Sequence, residues 1–365
     1  MKFGKQLALA TAMSLVASAA SALTFNLTFI PGTTLQEQTS FQAAAALWSA
    51  KLTDNVTVDL TVGTGALGAG ILASANSRAQ ANTYSQVKSA LNADKTSASD
   101  NTAVANLTAG ANVGMLINYT SNNPNGVGSP IAYVDSTGAN TTNMSINTAN
   151  AKALGLALVN PVGTVGGCLV TCDAFIQFSN AFAYDHNRGD GISGGAFDFV
   201  GLAAHEIGHA LGFVSGVDEL DTRSPQGNSF RPDDVFTFVT TLDLFRWSAA
   251  SDAADVIDWT AGNSGAFFSI DRGTTVGPLF STGQVHGDGR QASHWKDGLG
   301  LGIMDPTAAA GELLTILGND LLAMDVIGWN LEPVVINPTP VPPALALVLL
   351  GLASMKLAMR RRRPS

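Results

Sequence analysis

The run His205-Glu206-Ile207-Gly208-His209-Ala210-Leu211-Gly212 constrains this chain more than any other. On an α-helix, residues four apart lie on one face, so His205 and His209 can aim both imidazoles at one point. Glu206 sits beside the first of them, where its carboxylate reaches the space in front of the imidazoles without filling it. Two histidines and a carboxylate so spaced are the donor set of a catalytic zinc with its general base. Residues 196–204 carry apolar side chains at helical spacing, which predicts that the motif lies late in a largely buried helix. Gly212 is suited to end that helix with a positive φ.

A catalytic zinc takes three protein ligands and keeps one position open. In the compact form of this motif the third histidine follows the glycine by three residues, but here that position is Ser215, a poor ligand. Only His186, His286 and His294 remain, while Asp218 and Glu219 are near in sequence and can bind through oxygen. His294 leads, in Ala292-Ser293-His294-Trp295-Lys296-Asp297, with His286 and Asp218 as the alternatives. Downstream follows Gly302-Ile303-Met304-Asp305-Pro306.

At these residues the chain resembles the leishmanolysin-like metalloproteases of the metzincin clan. In those, a long insertion separates H-E-x-x-H-x-x-G from a third histidine in an S-H-W-type segment, and a methionine turn follows. The resemblance implies that His294 is the third ligand and Met304 the methionine beneath the metal. It also implies an α+β fold: a metzincin-like zincin with an N-terminal mixed-sheet subdomain, an active-site helix and an irregular C-terminal subdomain. The expected activity is zinc-dependent endopeptidase action on a protein or peptide substrate, with Glu206 as general base and then acid. This chain departs from the eukaryotic members in having only two cysteines where they are disulfide-rich. A non-catalytic zinc-binding surface or matrix protein is the alternative from another class. Glu206 argues against it, because a structural site has no need of a carboxylate beside its ligand. A metal-dependent hydrolase of non-peptide substrates is a third reading.

Alternating and helical patterns set the order of elements. Strands are predicted at 23–31, 56–62, 113–119, 131–134 and 174–179, and helices at 35–52, 84–93, 149–158 and 320–329. Ala174–Ser179, or a neighbour, is a candidate for the edge strand that pairs with extended substrate. From Val214 to His294 no regular pattern is found.

Both ends carry targeting signals. Lys2 and Lys5, an apolar stretch and Ala20-Ser21-Ala22 read as a secretory signal peptide over residues 1–22. The enzyme domain is expected over 23–330, followed by a Pro-rich linker over 331–343. Residues 344–365 contain an apolar run and then Arg360–Arg363. That order resembles a PEP-CTERM sorting signal, which Gram-negative bacteria use on exported proteins and an exosortase-like enzyme processes. Val341-Pro342-Pro343-Ala344 lacks the glutamate of the Pro-Glu-Pro motif, so a simple transmembrane anchor stays open. Either way the protein is exported, and it meets a membrane only through this segment.

Lys and Arg total 19 against 28 Asp and Glu. Setting aside the two lysines of the first segment and the five bases of the last leaves 12 bases against 28 acids, a net of −16. That balance excludes nucleic acid as a partner and suits calcium. The acidic loops Asp185–Gly191 and Gly287–Gly289 lack EF-hand spacing, however, and read as solvated turns. Cys168 and Cys172 are predicted to pair as a local disulfide in an oxidising compartment. That pairing would leave no thiol to block the zinc.

Overall fold

The structure, a computed structural model, describes residues 23–159, 166–225 and 229–333. The signal peptide, the sorting segment and nearly all of the linker expected from sequence lie outside the described residues.

The first half alternates strands with capped helices. β1 (Thr24–Phe29) leads to α1 (Leu35–Ser49), β2 (Thr57–Gly65), β3 (Ala73–Ser77) and β4 (Ala79–Thr83). Then come α2 (Tyr84–Asp94), α3 (Ala98–Ala105), β5 (Met115–Ile117) and β6 (Tyr133–Asp135). A single turn, α4 (Ala139–Thr142), precedes β7 (Asn143–Asn147), α5 (Thr148–Ala153) and β8 (Ala174–Ser179). Helices α1, α2 and α3 each begin at a capping box: Thr34 with Glu37, Thr83 with Gln86, and Ser97 with Asp100. In each, two of the unpaired donors at the helix start find side-chain acceptors, which fixes where the helix begins. The box at Ser97 makes a helix of a polar stretch with no legible apolar period.

The main sheet has the order β1-β2-β8-β3. Strands β1, β2 and β8 run parallel, and β3 pairs antiparallel with β8, Ala75 opposite Ile176. Val58, Leu60 and Val62 of β2 are almost fully buried, as expected of a parallel strand covered by helices. The sequence-based candidate for a substrate-pairing edge, β8, is internal; its neighbour β3 is the edge. Strands β3, β4 and β7 escape a reading of pattern because Ala, Ser, Asn and Gln dominate them, with a single β-branched residue each in β4 (Thr83) and β7 (Ile146) and none in β3. The Cys168–Cys172 disulfide forms as expected, just ahead of β8, with 6.2 Å between Cα atoms.

After β9 (Tyr184–Asp185) and β10 (Phe197–Asp198), α6 (Phe199–Leu211) runs beneath the sheet. It packs on α1 and β3, and every residue of it but His209 is buried. Phe41 of α1, Phe178 of β8 and Phe199 of α6 meet at 4.3–5.3 Å between ring centroids. The chain then becomes irregular, with short pieces such as α7 (Val217–Arg223), before α8 (Ala249–Ala254) and finally α9 (Gly318–Val326). The described residues up to Leu331 form one unit of mixed α+β character. Among the described residues no helix is long and apolar enough to cross a membrane.

Candidate metal centre

Helix α6 is held at both ends by groups that match its exposed backbone polarity. Asp198 caps its start, accepting the Gly201 N–H at 2.9 Å, and forms an ion pair with Arg188. Gly212 closes it at φ +121°. Near its end the His209 carbonyl accepts from the Asn147 amide at 2.8 Å. The buried indoles Trp48 and Trp329 donate to the Ala204 and Leu211 carbonyls at 2.8 and 2.9 Å. Each tryptophan thereby satisfies its N–H and pins the helix from another element.

From this helix His205 and His209 converge with His294. The three Nε2 atoms form a triangle with edges of 3.1, 3.1 and 3.3 Å. Each Nδ1 faces a backbone carbonyl: Ile303 for His205 and Phe213 for His209, both at 2.7 Å, and Gln291 for His294 at 3.3 Å. Donation from Nδ1 to those carbonyls leaves the Nε2 lone pair of each neutral ring pointing inward. Burial and mutual repulsion favour the neutral form. His209 is pushed down to about 3, chiefly by burial, and His294 well below its usual value. Three lone pairs so close repel unless a cation sits among them. Tetrahedral ligands about 2.0–2.1 Å from a zinc ion stand roughly 3.3 Å apart, which these edges match. The donor set therefore fits a metal ion. Among the described residues it is the one group of three or more His, Cys, Asp or Glu whose ligand atoms converge this way.

The other candidates are engaged elsewhere. His286 stacks on Tyr119 at 3.8 Å and contacts the Ser224 carbonyl at 3.0 Å, and His186 bonds Ser40. Asp218 holds backbone groups of Ala292 and Ser293 instead of a metal. The two acidic loops brace turns: Asp185 accepts from Asn187 and Ser193, and Asp288 from Thr282 and Lys296.

Glu206 is buried and lines the same cavity of about 750 Å³ as the three histidines. Burial pushes its carboxyl up to about 8, opposed by a hydrogen bond from the Ala75 N–H of β3. That contact with the edge strand was not legible in the sequence. β3 forms one wall of the cavity, and Gln291, Ser293, Pro306 and Thr307 contribute to another. Met304 is fully buried, and its Sδ lies 2.5 Å from where a Cβ on Gly208 would stand. The absent side chain at 208 is what lets the thioether lie against the helix between the two histidines.

Comparisons with protein-family models, with curated proteins and with solved structures find no match. The functional reading consequently stands on these residues and their arrangement.

Proposed function

We propose that the chain is an exported zinc-dependent endopeptidase built on the plan of the leishmanolysin-like metzincins. The observation that carries this is the Nε2 triangle of His205, His209 and His294 opening, beside Glu206, into a cavity walled by an edge strand. When bound, zinc supplies a Lewis acid that polarises a carbonyl and acidifies water, together with a positive charge that favours the Glu206 carboxylate.

The protein's own groups do the rest. The outer edge of β3 offers backbone donors and acceptors to an extended peptide, which aligns the scissile bond along the cavity. Glu206 takes a proton from the attacking water on its carboxylate and delivers it to the leaving nitrogen. The Ala75 N–H orients that carboxylate and ties it to the strand that aligns the substrate. Residues 1–22 and 344–365 carry the protein out of the cytoplasm to the cell surface or beyond, the latter as substrate of an exosortase-like enzyme or as an anchor.

The test is hydrolysis of a mixed protein substrate by the purified protein beside Glu206→Gln. Cleavage is expected to be chelator-sensitive and to fall by about 10²–10⁴ in the variant while zinc stays bound. A zinc-loaded wild type that cleaves no faster than the variant would rule the protease reading out and favour a non-catalytic zinc protein.

A further inference from the structure

The third histidine comes from an irregular segment, so something other than helical geometry must hold it. The Ala292 and Ser293 N–H groups donate to the Asp218 carboxylate at 2.6 and 3.2 Å, and the Ser293 hydroxyl donates to the same carboxylate. That hydroxyl in turn accepts the Ser215 N–H at 2.8 Å. The Ser215 hydroxyl donates to Asp243 at 2.6 Å, and Asp243 also accepts the Gly216 and Thr240 N–H groups at 2.9 Å. On the other side of the segment, the Ser281 N–H donates to the His294 carbonyl at 3.0 Å. The Ser281 hydroxyl donates to the Trp295 carbonyl at 2.9 Å. Arg246, 1 % exposed, donates to the Ser281 carbonyl and lies in the field of Asp258, Asp243, Asp218 and Asp288.

We propose that Asp218 and Ser293 are positioning residues for the metal, holding His294 in the triad through a Ser215–Ser293–Asp218 relay. Ser215 occupies the place where the compact motif carries its third histidine, and here that place anchors the distant ligand instead of binding. The chain stays continuous from the end of α6, through Ser215, to the first turn of α7. The relay thus ties His294 to the same stretch of backbone that follows His209. This rests on the reading of the triad as a metal centre. Groups that orient a ligand from behind typically change metal affinity by about 10–100-fold when removed.

The experiment measures zinc affinity of the full chain by competition with a chromophoric chelator. Wild type is compared with Ser293→Ala, Ser293→Thr, Asp218→Asn and His294→Ala. Each is also loaded with cobalt for its visible spectrum and melted without metal. Ser293→Ala and Asp218→Asn are expected to weaken zinc by about 10–100-fold and to alter the cobalt bands. Ser293→Thr, which keeps the hydroxyl, is expected to restore both. Affinity within about threefold of wild type and an unchanged spectrum in Ser293→Ala and Asp218→Asn, with binding lost in His294→Ala, would overturn the relay alone. A wild type that binds zinc no better than His294→Ala would overturn the metal centre with it. Weakening that the threonine does not rescue, and that tracks a lower metal-free melting temperature, would assign these residues to the fold and overturn the relay.

Discussion

Helix α6 and the segment from Gln291 to Met304 deliver histidines to one point by different means. In α6 the two ligands share a face because they are four residues apart, and the helix needs only its caps and neighbours to stay in place. In the second segment no regular element exists. Its geometry comes from buried side chains that reach its backbone from afar. Asp320, fully buried, accepts from Trp295 Nε1 and from the N–H groups of Ile303 and Met304, at 2.9, 2.9 and 3.3 Å. Asp218 likewise accepts from the Ala292 and Ser293 N–H groups, while Ser281 donates to the His294 and Trp295 carbonyls. The helix is thus a local device, whereas the loop is a tertiary one whose shape rests on buried acceptors outside it in sequence.

The sharpest contrast is acid. In the metal-free protein His205, His209 and His294 all have values below the ordinary histidine range, because burial disfavours the charged ring. A group whose folded value is depressed makes stability fall as pH drops below its unfolded value, here about 6.5. Each such histidine contributes a slope of up to about 1.4 kcal/mol per pH unit below that point. Glu206 has the opposite sign: its raised value makes stability fall as pH rises from the ordinary carboxyl value of 4.5 toward about 8. Asp94, Asp218 and Asp325, each pushed up by burial to about 6, act in the same sense as Glu206 and oppose the histidines below pH 6. The histidine share is therefore read as a difference, in urea denaturation of the metal-free protein across pH 4–8. His209→Ala should lose less stability toward acid than the wild type, by up to about 1.4 kcal/mol per pH unit below about 6.5. A His209→Ala profile parallel to that of the wild type would refute the neutral buried imidazole at 209.

Asp320→Ala probes the loop. It strands three buried donors, each costing about 1–3 kcal/mol, so the unfolding free energy should drop by roughly 3 kcal/mol or more. Zinc affinity should fall as well, because Ile303 and Met304 border the triad. If affinity is retained despite the lost stability, the loop is held by Asp218 and Ser281 without Asp320.

Gly208→Ala probes the helix. A helix-interior alanine is favoured over glycine by about 1 kcal/mol. Against that, the new Cβ would stand 2.5 Å from Met304 Sδ and 3.3 Å from Trp48, and such overpacking in a filled core costs about 1–3 kcal/mol. Overpacking should win, with a loss of about 1 kcal/mol in thermal or urea unfolding. A stabilised variant would mean that Met304 moves aside easily and does not buttress the helix.

The sequence by itself determined the parts whose geometry is local. The spacing of His205, Glu206 and His209, the stop at Gly212, the Cys168–Cys172 pair and most of the helices and parallel strands follow from residues within one or two turns of each other. The choice of His294 over His286 and Asp218 was reachable only as a resemblance, since nothing in its own neighbourhood says what it faces. Tertiary structure decided that choice, by stacking His286 on Tyr119 and setting Asp218 behind Ser293. It also made β3 the edge beside Glu206 and turned Ser215 from an empty ligand position into an anchor. The physical reason is the range of the interaction. Helical periodicity writes itself into neighbouring residues, whereas strand order and buried hydrogen bonds join residues more than seventy positions apart and leave no period to read.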